Sequence, residues 1–438
     1  MTDSPNEKKF MREKIVKPKR TGRQVAGKIF CLILFAVIFG IVAAVTFVVS
    51  KPLAEKYLGE EPETSAVPIT IERDEPETTE ATMETMEPTA PEPTAEPEPD
   101  MEEIREIVRN EIRQEPWTAE KVEAFNQVIV DIGVNAERSI VTVSSEKYEK
   151  DWFDNPVVST GRYAGVILAS NPAEIVILTG TAAVEDADSM RIIFGDGSIA
   201  GGTVKAQDTV FDMAVIAVDS EEVTETTKNW ISTMELGNSY SVNAGDILVA
   251  VGSPAGRVYS VKQGNVSYVT KNIQAVDGQT RIFLSDVACD IERGTFFLNL
   301  SGQLVGWATE LFEVEDIGDM TKILSLSEYK GSLQKLSNGI SVPYLGIKGQ
   351  EVNVYMQKEG VPVGIYITES ITDGPSYRAG IQNGDILTKI HGEEIRTFRD
   401  FQSCLERLQS GMETTVTIQR KGIDEYKEIE YQVTIGAR

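Results

Sequence analysis

A single histidine, His391, is the first constraint on what this chain of 438 residues does. Any mechanism that moves protons among several imidazoles is excluded, and one that needs a lone imidazole must find it near the C-terminus. Its place in a turn beside Gly392 reads as an exposed turn residue rather than a ligand. Cys31, Cys289 and Cys404 are the only cysteines. They are too few for a disulfide framework and lack metal-type spacing, so neither a metal nor a cofactor is expected. Gly245-Asp-Ile-Leu-Val-Ala-Val-Gly252 lacks the glycine spacing and following helix of a nucleotide fingerprint. With 42 basic against 68 acidic residues the net charge is −26. Binding to nucleic acid, which rests on Lys and Arg neutralising phosphates, is therefore not expected.

The elements that must position any site fall into two folded units. From 135 to 335 the signals are short β runs: Ser139 to Val143, Gly165 to Leu168, Ile175 to Leu178, Met190 to Phe194, Ala214 to Val218, Ile247 to Val251, Ile282 to Leu284 and Gln303 to Trp307. Gly, Asn and Asp punctuate them at the intervals of antiparallel barrels, with no βαβ alternation. From 340 to 438 the pattern predicts a small β-sandwich with one flanking helix. That helix runs from Thr397 to Leu408, with Phe398, Phe401, Leu405 and Leu408 on one face.

Ahead of them the chain is organised differently. Residues 29 to 50 form an uncharged run of 22 positions. At about 1.5 Å per residue this crosses the roughly 30 Å hydrocarbon core, so a transmembrane helix is expected. It is longer than a signal-peptide core and ends in a poor cleavage context, which favours an uncleaved anchor. Residues 1 to 28 carry nine Lys or Arg and three acids, placing this tail in the cytoplasm and the folded units outside. Residues 51 to 100 are read as an acidic, Pro- and Thr-rich disordered linker. From Gly59 to Asp100 it holds 14 acids, one Arg, eight Pro and eight Thr, too little apolar surface to offset ordering. Residues 101 to 134 are read as helical. One helix is capped at Asp100; a second is capped by Thr118, with Val122, Phe125, Ile129 and Ile132 on its apolar face. These helices are available to pack on the following unit or to associate between subunits.

Gly380-Ile-Gln-Asn-Gly-Asp-Ile-Leu387, Ile390-His-Gly-Glu-Glu-Ile395 and the helix beginning at Phe398 resemble the PDZ domain of HtrA-type (Deg-type) serine proteases. Upstream, Leu236-Gly237, Gly245 to Pro254 with Gly256, Ser260-Val-Lys-Gln-Gly-Asn-Val-Ser267 and Leu298-Asn-Leu-Ser-Gly-Gln-Leu-Val-Gly306 are similar to that family's protease unit. The resemblance covers roughly residues 135 to 436. It implies a mainly β fold: a trypsin-like double β-barrel followed by a PDZ domain.

Carried across residue by residue, the resemblance implies an incomplete triad. Ile177-Leu-Thr-Gly-Thr-Ala-Ala-Val-Glu-Asp-Ala187 puts Ala182 at the family's His position, with Thr181 one register away. Asp212 is retained at the Asp position in Asp212-Met-Ala-Val-Ile216. Ile291-Glu-Arg-Gly-Thr-Phe-Phe297 puts Arg293 at the Ser position and Ile291 where the family has the glycine of its oxyanion loop. Neither Ala182 nor Thr181 accepts a proton at neutral pH. Thr295 and Ser301 are ordinary alcohols without an adjacent base, and Lys262 and Lys271 fall in no recognisable partner motif. Asp212 is left either to pair with Arg293 or to accept backbone N–H bonds while Arg293 points to solvent.

The second unit keeps what the resemblance implies. Tyr344, Leu345, Gly346 and Ile347 match the loop whose backbone N–H groups hold a peptide's terminal carboxylate while the peptide adds as a strand. Leu345 and Ile347 also fit a purely structural place in the core. The expected function is thus a membrane-anchored, catalytically silent HtrA-like pseudoprotease on the outer face of the plasma membrane. It would bind C-terminal or unfolded peptide segments of envelope proteins, acting as scaffold, adaptor or regulator in their quality control. The alternative is an active HtrA-type serine endopeptidase of the cell envelope; a third reading makes the barrel an assembly module, the family's homotrimer being the form implied.

Overall fold

The computed structural model describes residues 68–75, 118–150, 152, 156–314 and 318–438. The first set of apolar runs forms β1 (Ile140–Lys150), β2 (Pro156–Ser170), β3 (Glu174–Thr179), β4 (Ser189–Phe194), β5 (Ile199–Gly201), β6 (Thr203–Asp208) and β7 (Met213–Asp219). They pair in the order β5-β4-β1-β2-β3-β7-β6. The second set is β8 (Ile247–Gly252), β9 (Lys262–Ala275), β10 (Gly278–Ser285), β11 (Thr295–Leu298), β12 (Leu304–Ala308) and β13 (Thr321–Ser325). These close into a barrel, β10-β13-β12-β11-β8-β9. In the first set the two ends of the path, β5 and β6, are separated only by Gly202, so one bent strand links β4 to β7 and the sheet curls round on itself, as expected of a barrel.

Several strands read as unbroken apolar runs because both of their faces are covered. Successive side chains of a strand point to opposite sides of the sheet. In β3, Ile175 and Ile177 enter the interior of the first sheet, while Val176 and Leu178 join a seam between the two sheets. In β8, Leu248 and Ala250 fill the closed barrel beside Phe283 and Phe297, while Val249 and Val251 meet the same seam with Phe296 and Leu298. Each of the Val, Leu, Ile and Phe side chains contributes about 1.5–3 kcal/mol on burial. The seam fixes the two sheets against each other, and the loops that end β3 and precede β7 and β11 meet along it.

Helix α1 (Ala119–Glu137) starts at Thr118, whose hydroxyl accepts from the Lys121 amide. Ile129, Ile132 and Ala136 are buried. Val122 and Phe125, expected on the same covered face, are 54% and 37% exposed, because the helix meets the barrels only through its C-terminal turns. Helix α2 (Lys330–Ser337) follows the second barrel, with Leu333 and Leu336 in the seam core.

The C-terminal unit contains β14 (Pro343–Tyr344), β15 (Ile347–Glu351), β16 (Ile365–Ser370), β17 (Ile386–Ile390), β18 (Glu393–Glu394), β19 (Glu413–Lys421), β20 (Tyr426–Thr434) and β21 (Gly436–Ala437). The main sheet runs β15-β16-β17-β19-β20, with β18 on β17 and β14 on β21. The helix read from Thr397 forms as α3 (Phe398–Arg407). It opens with a capping box in which the Thr397 hydroxyl takes the Asp400 amide and the Asp400 carboxylate takes the Thr397 amide. Phe398, Phe401, Leu405 and Leu408 are all buried.

The linker reading over 51–100 is corrected at residues 68–75, which dock on α2. Asn338 bridges both backbone groups of Ile69 at 2.9 and 2.8 Å, Ile71 enters the seam core, and Asp74 pairs with the buried Lys330 at 2.8 Å. The apolar alternation Val67-Pro-Ile-Thr-Ile71 within the acidic stretch is what permits this. The basic tail 1–28, the expected span 29–50, the remaining linker and the helix expected after Asp100 lie outside the described residues. Among the described residues no helix is long and apolar enough to cross a membrane.

Candidate functional site

Asp212 sits one residue before β7 with φ of +52°, a left-handed conformation that Asp adopts more readily than most side chains. Its Oδ1 accepts from the Thr181 amide at 2.8 Å and from the Thr181 hydroxyl. Thr181 opens the short turn Thr181–Ala183 at the end of β3. The carboxylate is thus satisfied by one residue, through its backbone and its side chain together. Ala182, next in the turn, is exposed and offers no polar group.

Arg293 lies on the loop before β11 and turns away from this carboxylate. Its Nη1 donates to the Gly256 carbonyl at 3.0 Å and its Nε lies 3.6 Å from Asp290. Among the described residues no ion pair joins Arg293 to Asp212, so of the two arrangements expected for Asp212 the one with a backbone N–H donor is observed. The Arg293 amide donates to Asp290 Oδ1 at 3.0 Å. Gly294, at φ +85°, turns the chain so that its amide donates to the Ile291 carbonyl. The two N–H groups of this turn are therefore spent inside the loop. The Thr295 hydroxyl is buried and donates to the Asp290 carbonyl at 2.6 Å. Ser301 is exposed in the turn between β11 and β12, and Lys262 donates to the Ala288 carbonyl.

Between Asp212, the Ile291–Thr295 loop and Trp307 there remains a cavity of about 20 Å³, room for roughly one water molecule. Cys289 lies beneath this loop; burial pushes its thiol above the ordinary range, against smaller opposing contacts from Thr321 and Thr295. The only imidazole is elsewhere. His391 occupies the turn between β17 and β18, exposed as expected, with its Nδ1 3.1 Å from the Thr414 hydroxyl.

The second candidate site is the loop joining β14 to β15. Gly346 takes φ of +82°, which aligns the amides of Leu345, Gly346 and Ile347 toward one point. The Leu345 and Ile347 side chains are fully buried, so they anchor the loop while its backbone does the binding. Ser376 braces it from behind, its hydroxyl donating to the Gly346 carbonyl at 2.7 Å.

Of Tyr344, Leu345, Gly346 and Ile347, expected to bind peptide, the last three have their amides engaged here from within the chain. Asp277, at the tip of the β9–β10 hairpin, places its Oδ2 2.8 Å from the Leu345 amide and its Oδ1 3.0 Å from the Ile347 amide. Gly346 donates to both oxygens, at 2.9 and 3.1 Å. The Asp277 amide in turn donates to the Ile347 carbonyl at 2.7 Å. Burial pushes the Asp277 carboxyl up, while Arg438 and the three amides pull against it. The nearby Tyr344 hydroxyl is also raised, first by burial and then by the Asp277 charge. Asp277-Gly278 marks a hairpin turn in the sequence, but nothing local says what its tip touches.

Comparison with known proteins follows this division. Residues 164–306 match the trypsin-like peptidase domain family and residues 343–430 the PDZ domain family. The chain is 26% identical over 279 residues to the serine protease Do-like HtrA of Lactobacillus helveticus. It is a homologue of the HtrA/DegP serine proteases. That match takes in 60% of this HtrA homologue and 66% of the relative. Another relative is a probable periplasmic serine endoprotease, DegP-like, of Pseudomonas savastanoi pv. phaseolicola, 26% identical over 60% of this chain and 53% of its own. The HtrA homologue therefore spans less than two thirds of either. Among solved structures, a variant of the HtrA-type protease AlgW with a decapeptide superposes with a TM-score of 0.50 at 18% identity, covering 71% of this chain and 97% of that one. At that identity the likeness speaks to the fold.

Proposed function

We propose that this HtrA homologue binds polypeptide rather than cleaving it: a pseudoprotease held outside the cytoplasm by residues 29–50, with its PDZ domain as the peptide-recognition module. The observation that carries the reading is the position of the chain's one imidazole, in a PDZ turn on Thr414, while Thr181 takes the Asp212 contact. The hydroxyl nearest Asp212, that of Thr181, is held by the carboxylate directly, with no imidazole between them to act as the family's general base. The small cavity beside Trp307, with room for roughly one water molecule, supports the same reading. Loop amides already paired with Asp290 and Ile291 do so too, for they are not free to stabilise an oxyanion.

Peptide binding is supported by the PDZ domain itself and by its aligned loop amides, the chemistry that takes a terminal carboxylate. The placement outside the cytoplasm agrees with the printed name of the periplasmic Pseudomonas relative. A scaffold or regulatory role in the cell envelope follows from binding without cutting, and the exposed apolar face of α1 suits a homotrimer. The active endopeptidase reading rests on the relatives' names alone.

The test is hydrolysis of labelled casein, with fluorophosphonate labelling alongside, by purified residues 66–438, which keep the docked 68–75 segment. No turnover and no labelled residue are expected. Turnover abolished by changing one hydroxyl residue of the chain itself overturns the reading.

A further inference from the structure

We propose that the β9–β10 hairpin is a built-in ligand of the PDZ domain: Asp277 holds the place of a peptide's terminal residue, and a peptide ending in a free carboxylate gains the loop only by displacing it. The proposal rests on the peptide-binding reading above and adds its regulation.

The geometry is that of a bound chain end. Both Asp277 oxygens are taken by the three loop amides, as a terminal carboxylate would be. The Asp277 amide donates to the Ile347 carbonyl, the pairing by which an added peptide joins a sheet edge. The mimicry therefore covers both the anion and the first strand contact.

Neighbouring contacts place the hairpin at the mouth of the groove between β15 and α3. A Cβ on Gly278 would lie 2.3 Å from Gln402 Nε2, so the tip rests against the side chain of the helix wall. Gln274 on β9 accepts from the Thr368 hydroxyl at 2.8 Å. From the other side, Arg438 Nη1 donates to the Val276 carbonyl at 3.2 Å.

Asp277 is 4% exposed. A buried carboxylate left without donors is strongly unfavourable, so the loop and the hairpin hold each other closed. A ligand tethered in this way acts at an effective concentration of about millimolar. A free peptide is thereby outcompeted until it is abundant or the hairpin is pulled aside. Asp277 also adopts φ of +57°, a left-handed turn that presents its amide and carboxylate together.

The experiment uses the full chain and a fluorescein-labelled decapeptide ending in Leu-Val, as free acid and as C-terminal amide, read by fluorescence polarisation. Asp277→Ala is expected to bind the acid at least tenfold more tightly than the unaltered protein, with no response to the amide. Equal affinity of Asp277→Ala and the unaltered protein for the acid overturns the built-in ligand and leaves peptide binding standing. Absence of binding to either, with faster hydrogen exchange at the 345–347 amides of a still folded Asp277→Ala, overturns the peptide-binding reading and the proposal with it.

A measurement on the unaltered protein guards against a variant that fails to fold. Millimolar acid peptide should accelerate exchange of the Asp277 amide while residues 345–347 stay protected. Peptide bound with the Asp277 amide still protected refutes displacement.

Discussion

The Asp277 carboxylate and the Gly346 amide, 69 residues apart in sequence, meet at 2.9 Å across the boundary between the second barrel and the PDZ domain. Asp277 is part of a protease-like barrel, yet all the donors to its carboxylate belong to the PDZ loop. The two domains are therefore coupled through the atoms that a peptide would use. Whatever loosens the boundary also opens the loop.

Arg438 is the second pin of that boundary. Its Nε lies 3.1 Å from Asp208 Oδ2, with the two side chains 11% and 0% exposed, and its guanidinium stacks 4.5 Å from the Phe211 ring centre. Removing one partner of a buried pair leaves an uncompensated charge and costs about 3–5 kcal/mol. Arg438→Ala should therefore lower stability by about that amount in urea denaturation, with Asp208→Asn in the same chain restoring part of it.

The pH dependence of this loss has a definite sign. Burial raises the Asp208 carboxyl pKa above 3.8, against the opposing pull of Arg438. A raised carboxyl favours folding below the unfolded value and loses that contribution as pH rises through the folded one. Without the guanidinium the folded value rises further, and the penalty falls on the ionised form. The Arg438→Ala loss should accordingly be smaller at pH 4 than at pH 7; equal losses at both would contradict the pairing.

Residues 68–75 yield a third expectation. Deleting them removes the burial of Ile71, about 1.5–3 kcal/mol. It also strips Asp74 from Lys330, whose side chain is 4% exposed. A chain beginning at 76 should melt well below one beginning at 66, and Asp74→Ala alone should account for much of the gap. Indistinguishable melting curves would remove the docking.

The contrast between those residues and the barrel strands explains what was legible in the sequence. The strands were readable because the period of two is local: Ile175 to Leu178 and Leu248 to Val251 are apolar on both faces wherever two layers cover them. The apolar face of α3 was readable because its spacing is local too. Asp212 was singled out by its motif, and the structure places it against Thr181. The rest depends on contacts distant in sequence. Ile69 and Ile71 sit among acids and prolines and find their cover more than 260 residues away. Val122 and Phe125 carry the right spacing, but nothing among the described residues covers them. Arg293 was assigned by counting along the chain, which cannot give a side chain's direction, and Asp277 was not singled out at all, since its partners lie 68 to 70 residues away.

The thiols report on the same packing. Burial raises both Cys289 and Cys404 above the ordinary thiol value, so the thiolate that reacts is scarce at neutral pH. Peptide-resolved mass spectrometry after brief iodoacetamide treatment at pH 7.5 should find both sites largely unmodified in the native protein and modified in urea. Rapid labelling of Cys289 in the native state would mark an activated nucleophile beneath the loop and count against the inactive reading.

Placing histidine and serine at the two positions that the resemblance assigns to the triad is the sharpest check on the protease-like unit. Ala182→His with Arg293→Ser supplies an imidazole and a hydroxyl, yet three features of the site remain. Asp212 stays engaged by the Thr181 amide and hydroxyl. The amide at position 293 stays on Asp290. The cavity beside Trp307 keeps its volume of about 20 Å³. A base must be oriented and an oxyanion stabilised before a serine becomes a nucleophile, and losing one oxyanion donor alone lowers turnover about 10²–10³-fold. The double variant should therefore fold and still leave casein uncut. Adding Thr181→Val, which frees Asp212 from a competing hydroxyl, should weaken stability by about 1.5–3 kcal/mol for a hydrogen bond to a charged group, without conferring turnover. Turnover by the double variant would place the defect in the side chains alone, and the loop geometry would lose its role in the account.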